Sequence, residues 1–364
     1  MTPRLSPDQA RRARLDAHLL AGSDLSPTEV VDRAVALQGQ DLAGVLRAVA
    51  IRSRPGTTLD DVRAAFDAGE IVRSWPMRGT LFATTPAHLA TLLSLTAERI
   101  QRQDARRRGE LGLDDAVVAR AREVLGAALA ERPRTRAEVL ELWTDAGIPT
   151  DAGRGYHLIA HLAIDGDVHW GSFVDGGSEQ LLTASSPTSA ADPEQALAQV
   201  LRGCVAARGP VAEADLAWWL KLPKTQVRRA AAEAEDVVEV EVDGTVAWMI
   251  EGALGRDERA SGREEESSGR GAPRVDLAPA FDEWILGYQD RSLVASAAML
   301  DAIVPGRNGV FRPTILVDGV AVGTWRFPAG RGRADAGPVV EMVERVPART
   351  RTAIDRALAG WPHR

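Results

Sequence analysis

A recurring order of hydrophobic periodicities constrains the fold of this chain more than any other feature. In three successive stretches, apolar residues at helical spacing are followed by a shorter stretch in which apolar and polar residues alternate. The third alternating stretch, VVEVEVDGTVAWMI, contains an Asp-Gly pair that is typical of a hairpin turn. Helices followed by a hairpin are the order of a winged helix. The sequence therefore predicts a mainly α member of the α+β class with about three tandem winged-helix units.

The first unit is predicted over residues 1–110. Ser6 and Ser26 each precede a proline, a pattern typical of a helix start, so helices are predicted over RRARLDAHLL and over PTEVVDRAVALQ, the second continuing through Leu37. A third helix, TTLDDVRAAFDAG, precedes the alternating stretch IVRSWPMRGTLFATT. A long helix beginning at Pro86 ends in a cluster of arginines.

The rest of the chain divides into four predicted segments. A second winged-helix unit is expected at 111–190 and a third at 191–250, where ADLAWWLKLP and KTQVRRAAAE resemble a helix, a turn and a recognition helix. Segment 251–274 is rich in Gly, Ser, Arg and Glu without periodic apolar positions, which predicts a linker or disordered loop. Alternating residues in 275–364 predict a small β-barrel or sheet unit with a terminal helix.

Composition narrows the possible functions. The formal net charge of −7 is unusual for a DNA-binding protein, so any basic surface has to be local, and the charge favours slightly a protein whose units only pack on one another. The chain has no long apolar run and no apolar block near its start, so we expect a cytoplasmic, nucleoid-associated protein without a membrane partner. We also expect a monomer.

Several familiar chemistries are absent from the sequence. The phosphate-binding loop of nucleotide enzymes and the Ser-containing nucleophile elbow do not occur, so no nucleotide cofactor is expected. Cys204 is the single cysteine and is expected in the core. His157 and His161 lie four residues apart, but Leu158 follows the first, where a zinc protease helix carries glutamate. We therefore expect no metal site and no cofactor.

The segment AVALQGQDLAG concentrates polar side chains after an apolar helix. On an uninterrupted helix, Gln38 and Gln40 would point roughly 200° apart, so their amides converge only if Gly39 interrupts the helix. Spacing alone favours a polar helix end at which Gln38 and Asp41 bind backbone groups. A pair of amides acting together is the alternative.

A family resemblance favours the second alternative, a pair of amides that act together. The segments LQGQD, RSWPMRGTLFATTPAHL, FDEWILGYQDRS and NGVFRPTILVDGVAVGTWR resemble, in this order and along essentially the whole chain, the AlkZ/YcaQ family of bacterial winged-helix DNA glycosylases. The resemblance implies a run of winged helices followed by a β-barrel. It also implies an active-site motif of Gln, an aliphatic residue, and Gln or Asp, which maps onto Gln38, Gly39 and Gln40. Gly39 departs from that pattern.

The resemblance implies excision of cationic N-alkylated purines from double-stranded DNA, of the N7-alkylguanine or N3-alkyladenine type and with bulky adducts or crosslinks in the same class. Water would attack the anomeric carbon of the deoxyribose. Gln40 is expected to position this water, Gln38 to align the water or the sugar, and Asp41 is a reserve acid or base. The alternatives are a non-catalytic winged-helix DNA-binding protein, such as a transcriptional regulator or damage-recognition factor, and an interaction protein.

Basic and polar residues suggest where DNA would be held. The expected DNA contacts are Arg73, Arg78, Thr80, Lys224, Arg228, Arg229 and Arg312. The first three lie on the predicted first wing, where Trp75 is more typical of a core residue than of a base-stacking one. Polar residues in FDEWILGYQDR, including Asp282 and Glu283, are expected to tie the C-terminal unit to the third winged helix.

Overall fold

The computed structural model describes residues 2–185, 192–254, 273–328 and 337–363, and within them the chain is a mixed α+β protein with three sheets. The first part contains β1 (Arg4–Leu5), α1 (Pro7–Ala17), α2 (Pro27–Ala34), β2 (Ala36–Gln38), α3 (Leu42–Ala50), α4 (Leu59–Asp67), β3 (Val72–Met77) and β4 (Thr80–Thr84). Helices α1 and α2 begin as expected: Ser6 and Ser26 form capping boxes and a proline opens each helix.

The second helix is shorter than its periodicity indicates. It ends at Ala34 because Val35 adopts a positive φ of 66°, and the chain then continues as strand β2, in which Leu37 pairs with Ala83 of β4. The prediction of a helix through Leu37 to Gln38 was wrong. Leu37 packs into the same buried cluster as Val30, so its spacing fits either a helix or a strand.

Helix α3 has no counterpart in the sequence prediction. Its sequence LAGVLRAVA is nearly continuous in apolar residues and lacks a polar stripe, while the Asp41 side chain caps its start by accepting from the Gly44 N–H. The three helices before the first hairpin are therefore α2, α3 and α4. Helix α1 packs instead against the later part of the chain, where its Leu15 joins a cluster with Trp284.

The middle of the chain repeats this order of elements. It contains α5 (Pro86–Glu110), α6 (Asp115–Glu131), α7 (Arg136–Asp145), α8 (Arg154–Ile164), β5 (Val168–Phe173) and β6 (Gln180–Ala184). The first two hairpins share one five-stranded sheet of order β2-β4-β3-β5-β6, joined where Arg73 of β3 lies opposite Trp170 of β5.

A third repeat follows. It contains α9 (Pro193–Arg208), β7 (Val211–Ala212), α10 (Glu213–Leu220), α11 (Lys224–Ala232), β8 (Val237–Val242) and β9 (Thr245–Ile250). Its sheet has the order β1-β8-β9-β7, with β1 parallel to β8, so a strand from the start of the chain extends the sheet of the third repeat.

The three repeats share a pairing pattern as well as an order. Each has a helix, a short extended stretch, two helices and a hairpin, and the short stretch pairs with the second strand of the hairpin. This pairing is β2 with β4, Arg134 with Leu182 of β6, and β7 with β9. The extended stretch between the first and second helices is the feature that the sequence prediction omitted.

The C-terminal part forms the third sheet. It contains β10 (Val275–Ala278), α12 (Glu283–Leu286), α13 (Ala297–Ile303), β11 (Thr314–Val317), β12 (Val320–Arg326), β13 (Val339–Met342) and α14 (Ala348–Ala359). Its strands are antiparallel in the order β10-β11-β12-β13, and Ile354 and Leu358 of α14 pack on Ile315 and Trp325. Among the described residues β10 and β13 are edges, so the sheet alternative describes this unit better than a closed barrel.

The hydrophobic core crosses the predicted domain boundaries. One buried cluster contains Val35 and Phe82 from the first repeat and Trp219 and Val227 from the third. The bounds of the predicted domains stay predictions. The predicted linker 251–274 lies mostly outside the described residues, which omit 255–272.

Candidate active site

The Gln38-Gly39-Gln40 segment continues strand β2 along the edge of the first sheet. Gln38 pairs with Phe82 of β4, and the Gly39 N–H donates to the Leu81 carbonyl at 2.8 Å, which extends the ladder. Alternate residues of an extended chain face the same side. The strand, rather than a broken helix, thus places Gln38 and Gln40 on one face.

Gln38 is buried, and both ends of its amide are hydrogen-bonded. Its Nε2 donates to the Thr80 Oγ1 at 3.3 Å, and its Oε1 accepts from the backbone N–H of Gln40 at 3.0 Å. Only 5% of the residue is exposed. The structure therefore brings together three predicted site residues, Gln38, Gln40 and Thr80, and the Gln38 side chain holds the backbone of Gln40 in place.

Gln40 is the exposed member of the pair. Its Oε1 accepts from the Leu81 N–H at 3.3 Å, which fixes the side chain against β4 while the residue remains open to solvent. An amide oxygen has two acceptor sites, so this bond leaves one for a further donor such as water. The exposed amide therefore can orient a water molecule or a sugar hydroxyl group.

Gly39 is required by the close approach of two strands. A Cβ at this position would lie 2.9 Å from the Ala83 backbone nitrogen and 3.0 Å from the Phe82 carbonyl carbon. The Gly39 carbonyl accepts from the Arg73 guanidinium at 3.0 Å. The departure from an aliphatic middle residue thus coincides with tight packing of this segment on β4.

Arg73 lies behind the glutamine pair. Burial lowers the pKa of its guanidinium to about 10, an effect that the nearby Asp41 carboxylate partly opposes. Its Nε is buried and has no hydrogen-bond partner among the described residues, and its guanidinium lies 6.0 Å from the Trp170 ring centroid. Arg73 therefore adjoins the candidate site with part of its donor capacity unused, and its contact with DNA stays a prediction.

Glu283 was expected from the sequence to have only a structural role, but it also contacts the candidate site. Its Oε1 accepts from the Gln38 backbone N–H at 3.0 Å, while its Oε2 accepts from the Trp219 Nε1 at 2.9 Å and from Arg208 at 3.2 Å. The residue is 2% exposed. It ties the C-terminal part to the third repeat, as expected, and it also fixes the glutamine strand.

A second buried ion pair accompanies the first. Arg52 makes two hydrogen bonds of 2.8 Å to the Asp282 carboxylate, and both side chains are almost fully buried. Next to it, the His18 Nε2 contacts the Tyr288 hydroxyl at 2.9 Å, and that hydroxyl donates to the Arg208 carbonyl. Burial and the neighbouring arginines lower the pKa of His18 well below its ordinary value.

Arg78 lies in the turn of the first hairpin. Arg78 and Gly79 both adopt positive φ, as a tight two-residue hairpin turn requires. The Arg78 guanidinium donates to the Leu286 carbonyl at 3.2 Å and stacks 4.0 Å from the Trp218 ring centroid. The hairpin thus faces α10 and α12. Trp75 on the same hairpin is a core residue with 3% exposure, as expected from the sequence.

The remaining predicted DNA contacts lie elsewhere. Arg228 pairs with Glu213, Arg229 pairs with Glu194, and Arg312 pairs with Glu341. Lys224 is exposed at the start of α11. No hydrogen bond between described residues joins these four side chains to the glutamine pair. Their contact with DNA stays a prediction.

His161 and Cys204 have surroundings typical of structural residues. His161 lies 3.5 Å from the Asp165 carboxylate, and burial is the main factor that lowers its pKa. Cys204 is buried in the core, where burial raises the pKa of its thiol to about 11. The described residues contain no group of three or more potential metal ligands, and none of their helices has the length and apolarity to cross a membrane.

Comparisons with known proteins define the class. A family model described as DNA glycosylase AlkZ-like matches residues 31–362, so the chain belongs to the AlkZ-like DNA glycosylase family. This family assignment confirms the resemblance seen in the sequence and supports a DNA glycosylase in general, with DNA as its partner.

A solved structure shows the same fold. The Streptomyces sahachiroi DNA glycosylase AlkZ is similar to this chain with a TM-score of 0.75 and 21% sequence identity, and the match covers 98% of this chain and 97% of that protein. No curated protein sequence matches the chain significantly.

Proposed function

We propose that this protein releases cationic N-alkylated purines from double-stranded DNA by hydrolysis of the N-glycosidic bond. The observation that carries the proposal is the pairing of one buried and one exposed amide on a single strand face, with Gln38 accepting from the backbone N–H of Gln40. This arrangement offers an oriented acceptor to solvent. It does not supply a strong acid, and a cationic purine does not need one.

The reaction divides into bond breaking and water addition. Alkylation at N7 or N3 makes the base cationic, so the electron pair of the breaking C1′–N bond neutralises the departing purine. The deoxyribose then carries oxocarbenium character, and a water oxygen forms the new bond at C1′. One water proton leaves to solvent, which balances the loss of charge from the base. The class includes bulky adducts and crosslinks.

Gln40 is the catalytic residue in this proposal. Its Oε1 accepts a hydrogen bond from the attacking water, which orients the water oxygen towards C1′ and places partial negative charge near the developing cation. Gln38 is buried and its amide is bonded at both ends, one of the bonds being to the Gln40 backbone, so it acts as a positioning residue for Gln40. This refines the expectation that Gln38 itself aligns water or sugar.

Asp41 caps a helix with its carboxylate, the same group that would have to act as a base. Its Oδ1 accepts from the Gly44 N–H and caps α3, directly after the glutamine pair. Asp41→Asn keeps a capping oxygen and removes the carboxylate, so we expect near-native activity from this variant. A loss of base release in Asp41→Asn with an unchanged unfolding midpoint would instead make Asp41 the base.

We also propose that each of the three repeats is a winged helix. The shared element order and strand pairing support this count. Helix α4, which occupies the recognition position of the first repeat, carries Asp60, Asp61 and Asp67, and these carboxylates would repel phosphates. The first repeat would then face DNA with its hairpin and the β2 edge rather than with α4.

Base release from defined duplexes tests the proposal. Duplexes carrying one N7-methylguanine or one hypoxanthine are incubated with the protein and treated with alkali, which cleaves abasic sites. We expect cleavage at the cationic base and little or none at the neutral base. Salt-dependent DNA affinity without release from either duplex would favour a non-catalytic DNA-binding protein, and no DNA affinity at low salt would favour an interaction protein.

A further inference from the structure

Many arginines of this acidic chain are paired with carboxylates, whereas one spatial group of cations is not. Arg78, Lys221 and Arg291 have no carboxylate oxygen within 4.0 Å among the described residues. By contrast, Arg228 and Arg229 of α11 are each ion-paired. Three unpaired cations that lie close together make this part of a protein of net charge −7 locally positive.

The three unpaired cations gather around one tryptophan. The Arg78 guanidinium carbon lies 4.0 Å from the Trp218 ring centroid, the Lys221 Nζ lies 5.7 Å from it, and the Arg291 guanidinium carbon lies 5.8 Å from it. They come from the first hairpin, the end of α10 and the segment after α12. We call Arg78, Trp218, Lys221 and Arg291 the Trp218 cluster.

The cluster is held in place by backbone contacts. Arg78 donates to the Leu286 carbonyl at 3.2 Å, and the Arg291 Nε donates to the Ile285 carbonyl at 2.7 Å. Each guanidinium has five donors, so most of them remain for an anion. Because the side chains are already ordered on Trp218 and on α12, less conformational entropy is lost when a ligand binds.

Nearby carboxylates do not neutralise the cluster by direct contact. Glu283 accepts from Gln38, Arg208 and Trp219, and Asp215 accepts from the backbone N–H groups of Gln289 and Asp290. Both carboxylates are buried. Their charges attract Arg78 and Arg291 only at longer range, while burial lowers the pKa of each guanidinium.

The cluster adjoins the candidate active site. Arg78 precedes Thr80 by two residues, and Thr80 accepts from the Gln38 Nε2. Helix α12 carries both Glu283, which accepts from the Gln38 N–H, and Leu286, which accepts from Arg78. An anion bound at the cluster is therefore a close neighbour of any group that reaches Gln40.

We infer that the Trp218 cluster binds backbone phosphates of the DNA strand whose nucleotide reaches Gln40. The inference rests on the proposed function for the identity of the polyanion. Trp218 holds the cations by cation–π contact, and Arg78 and Arg291 supply planar donor pairs that match phosphate oxygens. The cluster, rather than the ion-paired arginines of α11, is then the main electrostatic contact with DNA.

The salt dependence of affinity for an undamaged duplex tests this inference independently of base release. Each phosphate contact contributes about 0.9 to the slope of log K against log salt concentration. We expect Lys221→Asn and Arg291→Gln each to make this negative slope shallower by about that amount and to weaken binding. Asparagine suits the positive φ of 55° at position 221, so the fold is retained.

Two controls isolate the cluster. Arg106→Gln removes an exposed arginine that pairs with Glu110 on α5 and is expected to leave the slope unchanged. Arg228→Gln tests α11 and is expected to change the slope by less than either cluster variant. A native slope in both Lys221→Asn and Arg291→Gln, or a larger loss in Arg228→Gln, would overturn the inference, whether or not the protein releases bases.

Discussion

The Glu283→Gln substitution probes how the fold holds the glutamine strand. The two carboxylate oxygens of Glu283 serve three donors: the Gln38 N–H, the Trp219 Nε1 and the Arg208 guanidinium. A glutamine side chain keeps only one of those oxygens. Its NH₂ group then faces either the Gln38 N–H or the other two donors, and in both orientations a buried donor loses its acceptor.

The magnitude follows from burial and charge. Glu283 and Arg208 are 2% and 1% exposed, so the substitution leaves a buried guanidinium without its counter-ion. Removing one partner of such a pair costs about 3–5 kcal/mol. Arg208 keeps hydrogen bonds to the Ala34 and Ala36 carbonyls, which places the expected loss of unfolding free energy near the lower end of that range, about 3 kcal/mol.

Asp282→Asn is the matched control, because it breaks the equally buried pair with Arg52 and leaves the contact with Gln38 intact. Urea unfolding should show destabilisation of both variants. Single-turnover base release, measured where both are fully folded, should be slower only in Glu283→Gln. Native stability of Glu283→Gln, or equal release rates in the two variants, would refute the reasoning.

Two further predictions concern Gly39 and His18. Gly39→Ala should lower the unfolding free energy by about 1–3 kcal/mol because its Cβ would meet the Ala83 nitrogen, whereas Gly126→Ala, with open space on α6, should raise it by up to about 1 kcal/mol. Urea unfolding of both tests this contrast, and stabilisation by both would contradict it. Stability should also fall as pH drops below about 6.5, because the unfolded chain then protonates position 18 while the depressed pKa keeps the folded His18 neutral. The slope should be at most about 1.4 kcal/mol per pH unit for this group and smaller in His18→Gln; an identical slope in that variant would argue against the assignment.

Much of the fold was accessible from sequence because caps, prolines and hairpin turns act locally. Ser6, Ser26 and the Asp243-Gly244 turn are examples. The errors arose where tertiary contacts decide the structure. Leu37 is buried whether its segment is helical or extended, and α3 has too few polar positions to show a helical period.

The candidate site was only partly predictable. The Gln38 and Gln40 pair and Thr80 were identified, but their convergence comes from strand pairing with β4. Ion pairing of the predicted DNA contacts could not be foreseen, since Arg312 and Glu341 are 29 residues apart in sequence. The role of Glu283 beside Gln38 depends on a contact across 245 residues, for which no local pattern exists.

Single-turnover release of N7-methylguanine by Gln40→Ala tests the central claim most directly. The account predicts a loss of about 10²-fold or more in rate, since the attacking water is no longer oriented, while duplex affinity stays near native. Gln38→Ala should also be slow, and Gln103→Ala, an exposed glutamine of α5, should release the base at the native rate. Release by the Gln38→Ala, Gln40→Ala double variant within a few-fold of the native rate would contradict the account.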